Sequence, residues 1–183
     1  MNAIRTNLTA LAALVGGAAF VFVGALQVTQ DFGGTHNTID STGEYLVTGG
    51  LAVSLLATVL GYRAFGVLAR APRVAAVTIA PQVVLALMCI VSVINGEDAS
   101  FFNAVAPLCL LTWLVGSIVL AVRLRREDAV PKAVAIALPL LVPVTFVLSP
   151  LGGPLLTGAF WLALGTHALR AGGARTAVAP AAA

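Results

Sequence analysis

The sequence predicts an all-α integral membrane protein, a bundle of six transmembrane helices with both termini in the cytoplasm. Its composition is the first reason, because 60 % of the 183 residues are apolar and only 9 % are charged. A soluble domain is about half apolar and about a quarter charged. The second reason is that the apolar residues form six runs of roughly 20 residues, the length that crosses a bilayer. The third is that every basic residue falls on one side of these runs when they alternate in direction.

The first apolar run has features of both a retained helix and a cleaved signal peptide. Arg5 precedes it, and Val23-Gly24-Ala25 near its end resembles a small-residue cleavage site. The apolar part of a signal peptide is only about 7–15 residues long. Since this run is longer, the sequence favours a helix that stays in the mature protein. The six predicted spans are residues 8–29, 45–62, 74–94, 101–122, 132–149 and 151–169.

Helix ends between the spans are marked by capping residues. Ser41-Thr42-Gly43-Glu44 has the capping-box pattern, in which the serine side chain accepts from the backbone three residues on and the glutamate reaches back. Asn95-Gly96 predicts a helix stop with glycine in the left-handed conformation. Glu97-Asp98 is expected to open the fourth helix, since acidic residues are favoured at a helix N-terminus. Asp128 and Pro131 predict the start of the fifth helix.

The last two predicted spans are rich in proline. Membrane helices tolerate proline where neighbouring groups satisfy the freed backbone carbonyls, but a re-entrant hairpin over 132–169 is the alternative. Residues 1–170 are expected to form a single domain, followed by a disordered Ala-rich tail at 171–183. The prolines concerned are Pro139, Pro143, Pro150 and Pro154.

The orientation follows from the ten basic residues, because cytoplasmic loops are enriched in Lys and Arg. All ten fall before the first span, between the second and third, between the fourth and fifth, or after the sixth. Five of the seven acidic residues fall on the opposite side. Both termini are therefore predicted to be cytoplasmic. The Ala-rich and Arg-rich composition is typical of a high-GC bacterial genome, so the expected location is a bacterial plasma membrane.

Six arginines at the cytoplasmic ends of the spans are predicted to contact anionic lipid headgroups, at about 1 kcal/mol each. The segment 63–73 either extends the second helix as an amphipathic stretch along the inner leaflet or forms an ordinary loop. Because the basic residues lie in short runs and not on one soluble face, nucleic-acid binding is not expected. The six arginines are Arg63, Arg70, Arg73, Arg123, Arg125 and Arg126.

His36, Asp40 and Glu44 form the candidate metal site of the sequence. They are spaced four apart, so they would share one face if the second helix began that early. Two carboxylates and an imidazole could then bind a divalent cation. Gly33-Gly34 and Gly43 favour a solvated loop instead. We therefore expect no metal, no cofactor and no catalytic residue here, and a capping role for Glu44.

Gln82 is the most polar side chain near the middle of a span. It follows Pro81, which leaves a backbone carbonyl without its usual donor. The pair predicts either an interhelical hydrogen bond or the lining of a small polar cavity in a transporter. No ionisable side chain lies clearly inside a span, which argues against a proton pump or an enzyme embedded in the membrane.

Small residues four apart let membrane helices approach closely, and such pairs occur in the first, second and sixth spans. These three helices are predicted to pack tightly, within one chain or across a homo-oligomer. The sequence favours a non-catalytic accessory or interaction subunit, whose partners are membrane lipids and another membrane protein or a second copy. A small-solute or lipid transporter with a site near Pro81-Gln82 is the alternative, and a membrane enzyme with outward-facing acidic residues ranks last. The small-residue pairs are Ala12/Gly16, Ala13/Gly17, Gly50/Ser54, Ala57/Gly61 and Ala159/Ala163.

Overall fold

The computed structural model of the protein describes residues 2–29 and 38–177, with side chains from 7–29 and 38–170. Nearly all of the described backbone is α-helical, as the composition predicts. A 3₁₀ turn at Ser149–Leu151 separates the last two helices. The helices are α1 (Asn2–Thr29), α2 (Thr42–Leu68), α3 (Pro72–Asn95), α4 (Phe102–Arg126), α5 (Lys132–Phe146) and α6 (Gly153–Ala177).

Four helices, α1 to α4, are long and apolar enough to cross a membrane. α5 is apolar but has only 15 residues, or about 22 Å of helix at 1.5 Å per residue. The hydrocarbon core of a bilayer is about 30 Å thick. α6 has 25 residues and is not one of the four. The all-helical fold class is thus confirmed, and four of the six predicted spans have the length and composition of a membrane helix.

Several helix boundaries differ from the predicted spans. α2 continues as one helix past Tyr62 to Leu68, because the helical hydrogen bonds run on to the C-cap at Ala69. α5 ends at Phe146, before the predicted end at 149, where the chain enters the 3₁₀ turn. α6 continues to Ala177, so the first part of the tail predicted to be disordered has helical backbone. The remainder, 178–183, lies outside the described residues.

The six helices form a closed ring. Each helix packs against the next one in sequence, and α6 packs extensively against α1, which closes the ring. Apolar and aromatic side chains fill the interior, so one core connects the helices. Core residues include Phe20, Leu55, Tyr62, Phe65, Trp113, Leu120, Leu124, Leu138 and Trp161.

Contacts between loops define the two ends of the ring. Arg70 Nε lies 3.7 Å from Glu127 Oε2, so the α2–α3 and α4–α5 turns are neighbours at one end. At the other end, Thr38 forms an isolated β-bridge with Glu97, which joins the segment before α2 to the α3–α4 loop. We call these the basic end (residues 63–73 and 123–132) and the acidic end (residues 38–44 and 95–101).

Glycines bring α1 and α6 into backbone contact. A Cβ atom added to Gly17 would lie 2.8 Å from the Leu162 nitrogen, and one added to Gly24 would lie 2.6 Å from the Leu155 nitrogen. A Cβ atom added to Gly158 would lie 2.6 Å from the Gly17 carbonyl oxygen. Since rising residue numbers on α1 meet falling numbers on α6, the two helices are antiparallel.

α2 packs against both of these helices through predicted small residues. A Cβ atom added to Gly16 of α1 would lie 3.1 Å from Ala57 Cβ. Gly61 of α2 lies against the Trp161 ring of α6, and an added Cβ atom would overlap that ring. The prediction that the first, second and sixth helices pack tightly is confirmed, and these contacts lie within one chain.

The predicted contact pair on α6 is wrong. Ala159 and Ala163 are exposed, whereas Gly158 and Gly165, about two helical turns apart, face α1. Small residues four apart share one side of a helix, and so do small residues seven apart. On α6 the two pairs lie on different sides, and the sequence alone does not show which side faces α1.

Two of the predicted helix-end signals are confirmed and a third is confirmed in part. Ser41 Oγ accepts from the Glu44 backbone at 3.2 Å, and Glu44 Oε2 accepts from the Ser41 backbone at 2.9 Å, which completes the capping box. Gly96 follows α3 with a φ of 72°, the left-handed conformation that favours glycine. α5 begins directly after Pro131, as predicted, but Asp128 does not open α5, because it lies at the end of α4 in the left-handed conformation with a φ of 45°.

The prediction that Glu97-Asp98 opens α4 is wrong. α4 begins later, at Phe102, and has no side-chain cap. Asp98 Oδ1 instead accepts from Ser92 Oγ at 2.7 Å, so this carboxylate ties the loop to α3 rather than to the N-terminus of α4.

Candidate functional site

Gln82 lies completely buried between α2 and α3. Thr58 Oγ1 of α2 donates to Gln82 Oε1 at 3.3 Å. Gln82 Nε2 donates to the Thr78 carbonyl oxygen at 3.1 Å, one residue beyond the carbonyl that Pro81 leaves without its donor. One of the two arrangements that the sequence predicts for this amide, an interhelical hydrogen bond, is therefore formed.

Three buried hydroxyl residues lie on α2 and α3 at or within one helical turn of the Thr58–Gln82 contact, and we call Ser54, Thr58, Thr78 and Gln82 the polar seam. Ser54 and Thr78 each donate to the carbonyl oxygen four residues earlier in their own helices, at 2.7 and 2.8 Å. The single hydroxyl proton of Thr58 is shared between the Ser54 carbonyl at 3.0 Å and Gln82 Oε1 at 3.3 Å. Such bonds satisfy a hydroxyl in apolar surroundings. Gly116 of α4 covers the polar seam, since an added Cβ atom there would lie 2.5 Å from Thr78 Oγ1.

Aromatic rings from four helices meet beside the polar seam. Tyr62 contacts Trp113 edge to face at 6.1 Å between ring centroids, and it contacts Trp161 at 5.6 Å. Trp113 in turn contacts Phe146 of α5 at 6.0 Å. Edge-to-face and tilted pairs at these distances add to the free energy of packing. The aromatic cluster comprises Tyr62, Phe65, Trp113, Phe146, Phe160 and Trp161.

Three polar atoms of this region form what we call the Tyr62 site: the Tyr62 hydroxyl, Trp113 Nε1 and Ser117 Oγ. Tyr62 and Ser117 are fully buried, and Trp113 is 2 % exposed. Ser117 and Trp113 are the polar side chains close enough to the Tyr62 hydroxyl to interact with it electrostatically. None of the three atoms reaches the distance and angle of a hydrogen bond with any described residue. Sequence reasoning missed this site; its one local signal is that Trp113 and Ser117 lie one turn apart on α4.

The candidate metal site is only partly described. His36 lies outside the described residues. Asp40 Oδ2 accepts from Thr38 Oγ1 at 2.9 Å, and Glu44 Oε2 accepts from two backbone amides in the capping box. Within residues 7–29 and 38–170, no three His, Cys, Asp or Glu side chains lie close enough to hold a metal ion.

The Glu44 carboxylate is held in its charged form by the cap. It lies just before the predicted span, at the acidic end. The backbone N–H of Asp40 at 2.7 Å lowers the pKa of Glu44 most, followed by the backbone N–H of Ser41. Hydrogen bonds to a carboxylate favour its ionised state, so this residue acts as a negative charge at the N-terminus of α2.

The arginines predicted to contact lipid headgroups are all exposed. They belong to the basic end, on the last turns of α2 and α4, in the α2–α3 turn and at the start of α3. Arg70 makes the ion pair with Glu127, and an exposed pair of this kind contributes little to stability. The guanidinium groups of this end are thus available to anionic groups from outside the chain.

Comparisons with known proteins add no relative. Scans against protein-family models, curated proteins and solved structures each find no match. The function of the chain is therefore inferred from the arrangement of its own residues.

The buried polar side chains of residues 7–29 and 38–170 are all neutral. They include serine and threonine hydroxyls, the Gln82 amide and, within the Tyr62 site, a phenol and an indole. Such groups can donate and accept hydrogen bonds, but they supply no metal ligand set and no general acid or base near neutral pH. Both cysteines, Cys89 and Cys109, are buried and unpaired with one another.

Proposed function

We propose that this chain is a non-catalytic accessory or interaction subunit in the plasma membrane of a bacterium. In this proposal six helices cross the membrane and both termini are cytoplasmic. The observation that carries the proposal is the contrast between interior and surface. The described interior is neutral and packed, while every helix exposes large apolar side chains and the charges collect at the two ends.

The outer surface of the ring supports a location in lipid. A monomeric soluble protein rarely exposes a continuous apolar patch of more than a few hundred Å², yet here every helix contributes exposed aliphatic residues. Exposed hydroxyls on this surface are satisfied internally, since Thr112 Oγ1 donates to the Leu108 carbonyl at 2.8 Å and Thr166 Oγ1 to the Leu162 carbonyl at 2.9 Å. Lipid-facing polar groups require such partners. Exposed aliphatic residues include Leu11, Leu56, Leu87, Leu111, Ile136 and Leu156.

The path of α5 supports six spans over a re-entrant hairpin. α5 starts at the basic end, and the turn that follows it contacts the end of α1, where Ser149 Oγ donates to Gln27 Oε1 at 2.8 Å. Gln27 is close to the end of α1 at Thr29, on the side of the acidic end. The chain from 132 to 151 therefore leads from one end of the ring to the other, although its helix is short.

The charge distribution supports cytoplasmic termini. The basic end carries the exposed arginines and the acidic end carries Asp40, Glu44, Glu97 and Asp98. Basic residues next to membrane spans remain in the cytoplasm, and the basic end is where α1 starts. The glycine contacts of α1 with α6 also favour a retained first helix, because cleavage would remove one wall of the ring.

An accessory role is favoured over catalysis or transport because the side chains of the polar seam are already hydrogen-bonded within the chain. Gln82 and its three hydroxyl neighbours bond to groups of this chain. A transport path commonly carries Asp, Glu, His, Lys or Arg inside the membrane, and none of these residue types is buried among the described residues. The partners proposed are anionic lipid headgroups and a membrane protein, or a second copy of this chain, at the basic end.

The alternative is a transporter for a small solute or a lipid, with its site near Pro81-Gln82. The polar seam is the observation that favours it, because four polar side chains are buried together between α2 and α3. Broken or proline-containing helices often mark the binding sites of transporters. Transport by this route would require α2 and α3 to separate at the Thr58–Gln82 hydrogen bond.

Copurification from native membranes distinguishes the two functions. A tagged full-length chain, extracted in a mild detergent, is expected to retain a protein partner in fixed stoichiometry. We expect Arg123→Gln, Arg125→Gln and Arg126→Gln together to reduce the retained partner several-fold, while Gln82→Leu leaves it unchanged. A chain that emerges without a partner, yet carries glycerol or fluorescent phosphatidylglycerol across proteoliposomes in a manner abolished by Gln82→Leu, would instead establish the transporter.

A further inference from the structure

We propose that the Tyr62 site binds one neutral oxygen-bearing group, supplied by a water molecule or by a small membrane-soluble ligand. The three polar atoms that form it come from α2 and α4 and are buried inside the helix ring. It is separate from the polar seam, so the proposal requires neither an accessory role nor transport through Gln82.

The energetics of burial argue for an occupant. A buried donor or acceptor without a partner costs about 1–3 kcal/mol. The Tyr62 site gathers three such atoms, each in a side chain at least 98 % buried, as exposures of 0 %, 2 % and 0 % show. Most buried polar groups in proteins have a partner, either in the protein or in an ordered water. One molecule that bonds to all three atoms would remove these costs together.

Ser117 differs from other helix hydroxyls of the chain. Ser54, Thr78, Thr112 and Thr145 each donate to the carbonyl oxygen four residues earlier, at 2.6 to 2.8 Å. Ser117 Oγ makes no such bond among the described residues. Its hydroxyl is therefore free to bond with a group outside its own helix, beside the Tyr62 hydroxyl.

The donor inventory defines the chemistry of the occupant. An indole N–H can only donate, whereas tyrosine and serine hydroxyls both donate and accept. The occupant must therefore offer an oxygen with free lone pairs to Trp113. A water satisfies this requirement, since buried waters make two to four hydrogen bonds, and so does a carbonyl or hydroxyl of a lipid-soluble molecule. A charged occupant is disfavoured, because no buried ionised side chain of the described residues could compensate it.

The sign of the stability change in two variants tests the proposal. If an oxygen is bound, Tyr62→Phe and Ser117→Ala each remove one of its partners and should lower Tm by about 2–4 °C. If the three atoms are simply unpaired, each substitution deletes a costly buried group, and both variants should melt higher than the wild-type protein. Tyr45→Phe and Thr112→Ala are matched controls, since Tyr45 is 39 % exposed and Thr112 is bonded to its own helix.

Infrared spectroscopy of the purified full-length protein in lipid nanodiscs identifies the occupant. A bound water gives an O–D stretching band in D₂O that moves when the solvent oxygen is ¹⁸O. A ligand instead gives a carbonyl band, or the O–D band of its exchanged hydroxyl, whose frequency does not change when the solvent oxygen is ¹⁸O. A stoichiometric small molecule then also appears in the mass spectrum of the organic extract. Either band should be lost in Tyr62→Phe and kept in Tyr45→Phe. Higher melting of both site variants, or the lack of any band lost in Tyr62→Phe, overturns the proposal.

Discussion

Gly61 has no room for a side chain, because a Cβ atom added there would overlap the six-membered ring of Trp161. That ring is held in turn by Tyr62, Phe65 and Phe160, so it cannot move aside. We expect Gly61→Ala to destabilise the protein by about 1–3 kcal/mol through overpacking, measured as a lower Tm in detergent. Gly49→Ala in the same helix is the control, since an added Cβ there meets nothing within 4 Å. Equal melting of the two variants would contradict this packing.

The Glu44 cap gives the start of α2 a defined pH dependence. Its folded pKa is lowered below the ordinary value of 4.5, so the stabilisation by its charge is present above that value. It is lost as the pH falls through the lower, folded pKa. We expect wild-type protein to melt higher than Glu44→Gln at pH 7 and the difference to shrink toward pH 3, as followed by helical circular dichroism. Glu97→Gln, outside the cap, is the control; a difference that stayed constant with pH would contradict the role of the charge.

Individual residues were predictable where the chemistry is local. The capping box and the glycine after α3 depend on neighbours in sequence, and both patterns predict what the structure contains. The Tyr62 site was not predictable, because tyrosine, tryptophan and serine are ordinary residues in membrane helices. Only the packing of α2 against α4 brings their polar atoms together.

At the scale of the helix, α2 and α4 end in the same way at the basic end. The backbone N–H of Ala71 donates to the Gly66 carbonyl at 2.9 Å, and that of Ala129 donates to the Leu124 carbonyl at 3.1 Å. This is the Schellman pattern, whose left-handed position normally holds glycine. Here that position holds Arg70 with a φ of 49° and Asp128 with a φ of 45°.

Glycine at these two positions should therefore stabilise the helix ends. A left-handed conformation costs a non-glycine residue roughly 1–2 kcal/mol, and aspartate tolerates it better than arginine. We expect Arg70→Gly to raise Tm in a neutral detergent, with a smaller rise for Asp128→Gly. Arg63→Gly, inside α2, should instead lower it, because glycine costs about 1 kcal/mol in a helix. A fall in Tm for Arg70→Gly would show that its ion pair with Glu127 outweighs the backbone strain.

Helices themselves were predictable because each apolar run is long and bounded by turn residues. The short α5 was not, since its prolines and its apolar flanks leave the end of the run undefined by hydropathy. The face that α6 turns to α1 was also missed, because Ala159 and Gly158 are both small and only packing selects between them.

At the scale of the whole molecule, the two charged ends give the topology a direct test. With Cys89 and Cys109 replaced by serine, single cysteines can be placed at Ser100, which is exposed in the acidic end, and at Ala129 in the basic end. We expect a membrane-impermeant maleimide to label Ser100→Cys in intact cells and Ala129→Cys only after lysis. The reverse pattern would invert the orientation, and labelling of both in intact cells would refute the six-span arrangement.

The sequence did not predict the full order of the helices around the ring. Short connections predict that consecutive helices are neighbours, and that much is observed. Closure by α1 and α6 depends on matching glycines that are far apart in the chain. Patterns within each helix do not reveal which distant partner a small-residue face will meet.

That closure has a consequence for biosynthesis. α1 leaves the ribosome well before α6, so its glycine face meets its principal neighbour only after α2 to α5 have been made. Late pairing between distant segments slows assembly and leaves intermediates vulnerable. Chains that stall before Gly153 would lack α6 and leave the glycines of α1 uncovered, so we expect them to be degraded early.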